Sequence, residues 1–180
     1  MVIASQTWWH LARTAGLVGW ALISASVIWG LLLSTRVLGR RPTRPWLLSM
    51  HRYLSALAIG ATAIHVIALL VDSYVQFRVI DVIVPMASSW RPGALAWGIV
   101  TLYLLVIVEI TSLVADRLPR RLWWTIHITS FALFTFGTIH GLQAGTDASN
   151  ALVRIAMIVA IAEVVFVLGV RVVYRRRAWT

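Results

Sequence analysis

WWTIHITSFALFTFGTIHG, residues Trp123 to Gly141, is apolar enough to cross a bilayer yet carries two imidazoles, His127 and His140. A second apolar stretch, Ser49 to Val71, carries His51 and His65. The histidines are 14 positions apart in the earlier stretch (65 − 51) and 13 in the later one (140 − 127). At about 1.5 Å of rise per residue the members of each pair are separated by roughly 21 and 19 Å along their axes, inside a hydrocarbon layer of about 30 Å. Four histidines then make two levels. Two facing helices that each offer one imidazole near each side of the membrane form two stacked bis-histidine sites, the ligand set that a pair of six-coordinate haems needs.

Composition agrees with a membrane chain. Of 180 residues, 60% are hydrophobic and only 12% charged, and several apolar runs exceed the roughly 18 residues that argue for a span. The fold class expected is an all-α membrane protein, a single domain over residues 1–180. It is a bundle of about five transmembrane helices enclosing two stacked haems, with spans near 8–33, 47–71, 93–114, 121–142 and 151–174. The net charge of +10 comes from arginine, and in a soluble protein it would suggest nucleic acid. Here the arginines sit in short loops beside spans, where topology and anionic membrane lipid explain them, so a nucleic-acid partner is rejected. Cysteine is absent, which removes disulfides, thiolate-held iron–sulfur clusters and covalent haem attachment through C-x-x-C-H. Any metal must be held by histidine or carboxylate.

Residues 1–7 lack the basic segment of a cleaved signal peptide, so the first span is expected to stay in place. The loop TRVLGRRPTRP holds Arg36, Arg40, Arg41 and Arg44 with no acid. By the positive-inside rule it is cytoplasmic, which puts the amino terminus outside and the carboxyl terminus, after Arg175, Arg176 and Arg177, in the cytoplasm. Arg117, Arg120 and Arg121 mark a second cytoplasmic loop. Both histidine helices then start inside and run the same way. His51 and His127 share the cytoplasmic level, and His65 and His140 share the outer one. Between His51 and His65 lies LSALAIGATA, whose small residues permit close approach of helices or of a flat macrocycle. The connection from Asp72 to Pro92 is too short to cross and is expected to lie over the outer site as an interfacial or re-entrant segment.

Angular geometry supports one helix and strains the other. At about 100° per residue, 14 positions fall roughly 40° short of four turns, so His51 and His65 share a face. Thirteen positions leave His127 and His140 about 140° apart on a straight helix, and local tightening or a kink near Gly137 is the expected remedy. Other residues have two readings. Arg52, Arg120 and Arg121 stand beside the inner histidines as candidates for charge-assisted bonds to haem propionates, although topology alone explains them. Phe134 lies between the two levels as a candidate for packing between haem edges, and ordinary core packing with Phe131 and Phe136 is the simpler account of any single aromatic. Asp72, Arg78 and Arg91 are candidates for gating the outer site. His10, beside Trp8 and Trp9, has no partner at matching spacing and is assigned to the outer surface.

A lone membrane histidine often only hydrogen-bonds between helices, but four in matched pairs at matched depth are harder to explain in that way. A zinc or copper site would gather three or four ligands within a few Å, whereas these histidines are split between levels roughly 20 Å apart. Two helices bearing H-x13-H and H-x12-H, separated by a single helix, resemble the ferric reductase-like transmembrane domain of NADPH oxidases, iron reductases and their stand-alone bacterial relatives. The resemblance covers about Arg44 to Arg175. It implies two b haems, one held by His51 and His127 on the inner side and one by His65 and His140 on the outer side, in a bacterial inner membrane. It also implies single electrons passing from a cytoplasmic donor to an outer acceptor: ferric chelate, oxygen or a partner protein.

Two departures accompany it. The larger relatives have six helices where five are counted here, so the first helix is expected to match the family's second. No G-x-G-x-x-G unit is present, so flavin is expected only in a separate cytoplasmic flavoreductase, with membrane quinol as the other donor. The reading from a different class is a haem-free transporter subunit or assembly factor whose histidines serve proton relay or packing.

Overall fold

The computed structural model describes residues 2–35, 43–73 and 75–177, with side chains described from 7 to 173 within those limits. The expected topogenic residues Arg36, Arg40 and Arg41, and the side chains of Arg175, Arg176 and Arg177, lie outside the described residues. Described segments are helical or irregular. Helix α1 runs Val2–Thr35, α2 Arg44–Val71, α3 Val79–Ile83, α4 Pro92–Leu113, α5 Arg120–His127, α6 Ser130–Ala144 and α7 Ala151–Arg177. Five stretches are long and apolar enough to cross a membrane: Thr7–Thr35, Arg44–Val71, Pro92–Leu113, Arg120–Ala144 and Ala151–Val173. Proline sets three of the helix starts. Pro45 and Pro92 occupy the first turns of α2 and α4, where their missing N–H is not needed, and Pro119 precedes α5.

The bundle is built from two antiparallel hairpins. In one, α1 packs along the whole of α2, and in the other α4 packs along α5 and α6. Among the described residues the backbones of the two histidine helices, α2 and α6, scarcely approach each other, and each packs instead on a partner helix, α1 or α4. α7 closes the bundle against α1. At mid-depth, Ile23, Val27 and Leu31 of α1, Ala58 of α2, Leu105 of α4, Leu133 and Phe134 of α6, and Ala160 and Val164 of α7 form one buried cluster. Its outward counterparts, such as Val165 and Phe166, are exposed as lipid-facing side chains should be.

The fourth span is not one helix. It breaks at Ile128 and Thr129, which link α5 to α6. Here i to i+3 bonds replace the α-helical pattern: the Thr129 amide donates to the Ile126 carbonyl at 3.0 Å and the Phe131 amide to the Ile128 carbonyl at 3.2 Å. The Thr129 hydroxyl also donates to the Ile126 carbonyl, at 2.7 Å. The expected kink near Gly137 is therefore corrected. Gly137 lies inside unbroken α6, where a Cβ would come within 3.3 Å of the Thr101 methyl, so its small size serves close contact with α4. Ile128 and Thr129 keep right-handed helical dihedrals, so the break is a local tightening, the other expected remedy, and it falls between His127 and His140.

The connection after α2 folds back over one end of the bundle. Phe77 and Val82 pack with Leu95 of α4, flanked by Leu69, Leu70 and Trp90. The short α3 is held by Asp81, whose carboxylate accepts from the Arg78 amide at 2.9 Å and from Arg78 Nε at 3.1 Å. Those contacts hold the Asp81 carboxyl below its ordinary range, with the Arg78 side chain the largest cause. Arg78 is thus engaged locally, and Arg91 donates to the Gln143 carbonyl at 2.6 Å, tying the start of α4 to the end of α6. Asp72 is buried and accepts from the Val75 amide at 3.2 Å. At the same end Arg13 of α1 pairs with Asp147, its Nε donating to Oδ2 at 3.0 Å.

Two stability outcomes follow from this packing. Leu31 is only 2% exposed, so Leu31→Ala leaves a cavity whose cost persists when lipid rather than water is the reference. It should cost about 2 kcal/mol or more in reversible detergent unfolding, while Val165→Ala, at a side chain 63% exposed, stays within about 0.5 kcal/mol. Asp147→Asn removes a part-exposed ion pair and should cost about 1 kcal/mol or less, a loss that shrinks when the thermal melt is repeated in high salt.

Candidate functional site

Each imidazole is aimed by a neighbour on the other helix of its own hairpin. His65 Nδ1 lies 2.7 Å from the Ala12 carbonyl of α1, and His51 Nδ1 lies 3.0 Å from the Ser26 carbonyl of the same helix. His140 Nδ1 lies 2.8 Å from the Ala94 carbonyl of α4. A carbonyl only accepts, so Nδ1 of each of these three rings carries the proton and donates it. Nε2 is left with its lone pair. That is the tautomer of a metal-ligating histidine whose second nitrogen is held by a backbone carbonyl.

His127 reaches the same state through a hydroxyl. Ser112 Oγ donates to the Val108 carbonyl at 2.7 Å and stands 3.3 Å from His127 Nδ1. With its single proton committed to Val108, the Ser112 oxygen accepts from His127. Trp123 stacks on the His127 ring, with centroids 4.7 Å apart and planes inclined by 19°. Ser26 Oγ adds a second neighbour to His51 Nδ1, at 3.1 Å, and joins Ser55 at 3.0 Å.

Held in this way, the four rings meet in pairs. The His51 and His127 centroids are 6.0 Å apart with planes at 74°, and those of His65 and His140 are 6.4 Å apart with planes at 76°. A metal–nitrogen bond of about 2 Å, plus about 1.1 Å from nitrogen to ring centre, places the centroids of two imidazoles on opposite sides of one metal about 6 Å apart. The donor set at each level is of the kind that would hold a haem, His51 with His127 at one level and His65 with His140 at the other. Among the described residues no three of histidine, cysteine, aspartate and glutamate gather at one point, so each level offers two protein ligands rather than the three or four of a zinc site.

A cavity opens at one of the two levels. An apolar cavity beside His65 and His140 is lined by Leu17 and Trp20 of α1, Val66 of α2 and Leu102 of α4. Trp20 Nε1 donates to the Thr138 hydroxyl at 3.0 Å, so this polar edge is satisfied within the wall. Arg13, Asp147 and Asp81 also line the cavity, at the end of the bundle capped by α3. Phe134 is buried, 5% exposed, in the same cluster as Ala58, which lies midway between His51 and His65 (58 − 51 and 65 − 58 are both 7). It thus stands in the partition between the levels. Arg52, Arg120 and Arg121 are exposed at the His51 and His127 end. At that end Trp29 and Trp123 each hold a buried indole N–H without a hydrogen-bond partner among the described residues.

Sequence reading located the four histidines but missed what holds them. Ser112, Ser26 and the carbonyls of Ala12 and Ala94 carry no signal individually. A small residue four positions before a glycine, in ARTAG, SVIWG and ALAWG, is the pattern through which the three carbonyl sites were discoverable.

No curated protein and no solved structure matches the chain. Residues 15–138 match the family described as ferric reductase like transmembrane component. The match begins inside α1, so the first helix is part of the family's core, whereas the resemblance read from histidine spacing began only at Arg44. It ends two positions before His140 (140 − 138), within α6. Families of this kind are haem-binding membrane domains that work with a redox donor and an acceptor. This chain belongs to the ferric reductase like transmembrane component family and is a membrane protein of the electron-transfer type.

Proposed function

We propose that the chain is a di-haem b-type cytochrome that carries single electrons across a bacterial cell membrane, from a cytoplasmic flavoprotein or quinol to an outer acceptor. The observation that carries this reading is the pair of opposed imidazoles at each of two levels, 6.0 and 6.4 Å apart between centroids, with each Nδ1 beside an acceptor. A bound b haem would supply one-electron ferric–ferrous chemistry at each level.

The chain's own residues do the rest. His51 and His127 would hold one group and His65 and His140 the other. With two histidines holding each group, an acceptor such as ferric chelate or oxygen would receive its electron without displacing a protein ligand. The apolar walls of α1, α2 and α4 around His65 and His140 would shield that group from water. Phe134, in the partition between the levels, is assigned to packing between the two centres. Arg52, Arg120 and Arg121 are assigned to the anionic edge of the inner group, with the buried indole N–H of Trp123 as a further donor at that end. Placing this arginine-bearing end in the cytoplasm follows the positive-inside rule and presents a basic face to an acidic flavoprotein.

Protein purified from haem-replete cells should be red, with a low-spin Soret band, a reducible α-band and about two b haems per chain in a pyridine haemochrome assay. His65→Ala or His140→Ala should remove one centre and leave the other, and His51→Ala or His127→Ala should remove its counterpart. A colourless preparation overturns the reading in favour of a haem-free membrane component. Reoxidation of dithionite-reduced protein by ferric chelate, oxygen and quinone, tried separately, identifies the class of acceptor.

A further inference from the structure

The hydrogen bonds to the histidines fall in a register that the family assignment does not explain. On α1 the accepting carbonyls belong to Ala12 and Ser26, and glycine follows each four positions later, at Gly16 and Gly30. On α4 the corresponding positions are Ala94 with Gly98, and Val108 with Ser112. On both helices the two sets are 14 positions apart (26 − 12, 30 − 16, 108 − 94 and 112 − 98), the same interval as His51 to His65 on α2.

Residue i+4 of a helix sits directly over the carbonyl of residue i, and its own N–H already takes one of that oxygen's two lone pairs. A side chain at i+4 would cover the other lone pair. At three positions the cover is absent, and the imidazole lies in the space. A Cβ on Gly98 would come within 2.7 Å of both Nδ1 and Cε1 of His140. One on Gly16 would come within 2.9 Å of His65 Nδ1, and one on Gly30 within 3.2 Å of His51 Cε1. In the fourth position Ser112 blocks the approach to the Val108 carbonyl, takes that carbonyl with its own hydroxyl and offers its oxygen to His127 instead.

We infer that Gly16, Gly30, Gly98 and Ser112 are positioning residues, a four-fold holder device that fixes the tautomer and aim of each histidine and so decides which nitrogen is offered to the metal. The inference deepens the haem reading and rests on it. Ordinary helix packing does not account for the device, because Gly19 and Gly60 provide the contrast. A Cβ on Gly19 would meet Thr62 Oγ1 at 3.3 Å, on the same α1–α2 interface but away from any imidazole, and one on Gly60 would meet nothing within 4 Å.

The test uses the full chain in detergent, read by haem per chain and by the low-spin ferric electron paramagnetic resonance signals of the two centres. Gly98→Ala and Gly16→Ala should abolish or shift the signal that His65→Ala removes and leave the other unchanged. Gly30→Ala, with the looser contact, should shift only the signal that His51→Ala removes. Gly19→Ala and Gly60→Ala should leave both. Ser112→Ala, which keeps the block and removes the acceptor, should shift the His51 and His127 signal, whereas Ser112→Gly, which clears the way to the Val108 carbonyl, should retain it.

Should Gly98→Ala fail to fold, Gly30→Ala and the two Ser112 variants decide alone. A wild-type chain without haem overturns the haem reading and this inference with it. A wild-type chain with two haems overturns only the holder device if Gly30→Ala and Gly98→Ala leave both signals in place, if Gly19→Ala moves them as much, or if Ser112→Gly behaves as Ser112→Ala does.

Discussion

An imidazole between membrane helices must give its N–H to something, because no water is available there to take it. In this chain the takers are helix carbonyls, those of Ala12, Ser26 and Ala94, together with the Ser112 hydroxyl. An unsatisfied polar group in hydrocarbon costs several kcal/mol, roughly. These four bonds therefore constrain more than four rings. Each ties a histidine helix to a partner helix at a defined height, and two per hairpin fix the register of α1 on α2 and of α4 on α5 and α6. Lipid is as apolar as leucine, so burying apolar surface cannot by itself choose that register, and hydrogen bonds and close small-residue packing must choose it.

With the register set, the levels follow. α1 and α2 are antiparallel, so intervals of 14 positions on both bring two carbonyls opposite two histidines at once. α4 repeats the interval with Ala94 and Val108. The core that Ile23, Ala58, Leu105 and Phe134 share then separates the levels. The family match, which begins in α1, agrees with this division of labour: α1, which gives no histidine to either pair, belongs to the site as fully as the helices that do.

Much of this was legible beforehand, and the limits have physical causes. Long apolar runs and arginine loops mark spans because the bilayer thickness and its surface charge act on composition directly. Paired histidines at matched spacing stand out because ionisable groups are rare in lipid. The acceptors did not stand out, since a backbone carbonyl is the same at every position and only the glycine four places on shows which one is uncovered. Of the two remedies expected for the fourth span, a kink near Gly137 is absent, since that glycine serves contact with Thr101, and local tightening is present at Ile128 and Thr129. Neither isoleucine nor threonine punctuates a helix by itself. Fourteen positions on α2 needed no such remedy, and thirteen on the fourth span did.

The position of that break is itself constrained. Interrupting a helix in a membrane frees backbone groups that must find new partners, and the middle of the bilayer is the worst place to do so. Residues 128 and 129 adjoin His127, toward the end where Arg120 and Arg121 are exposed. The freed groups are taken up locally, with the Ile126 carbonyl accepting from both the amide and the hydroxyl of Thr129. Beside Gly137 the hydroxyls of Thr135 and Thr138 are already committed to the Phe131 and Phe134 carbonyls of their own helix. The helix is interrupted where the Thr129 amide and hydroxyl can both bond within the turn. His127 is thereby re-aimed on its own short helix, while α6 carries His140 straight to its carbonyl on α4.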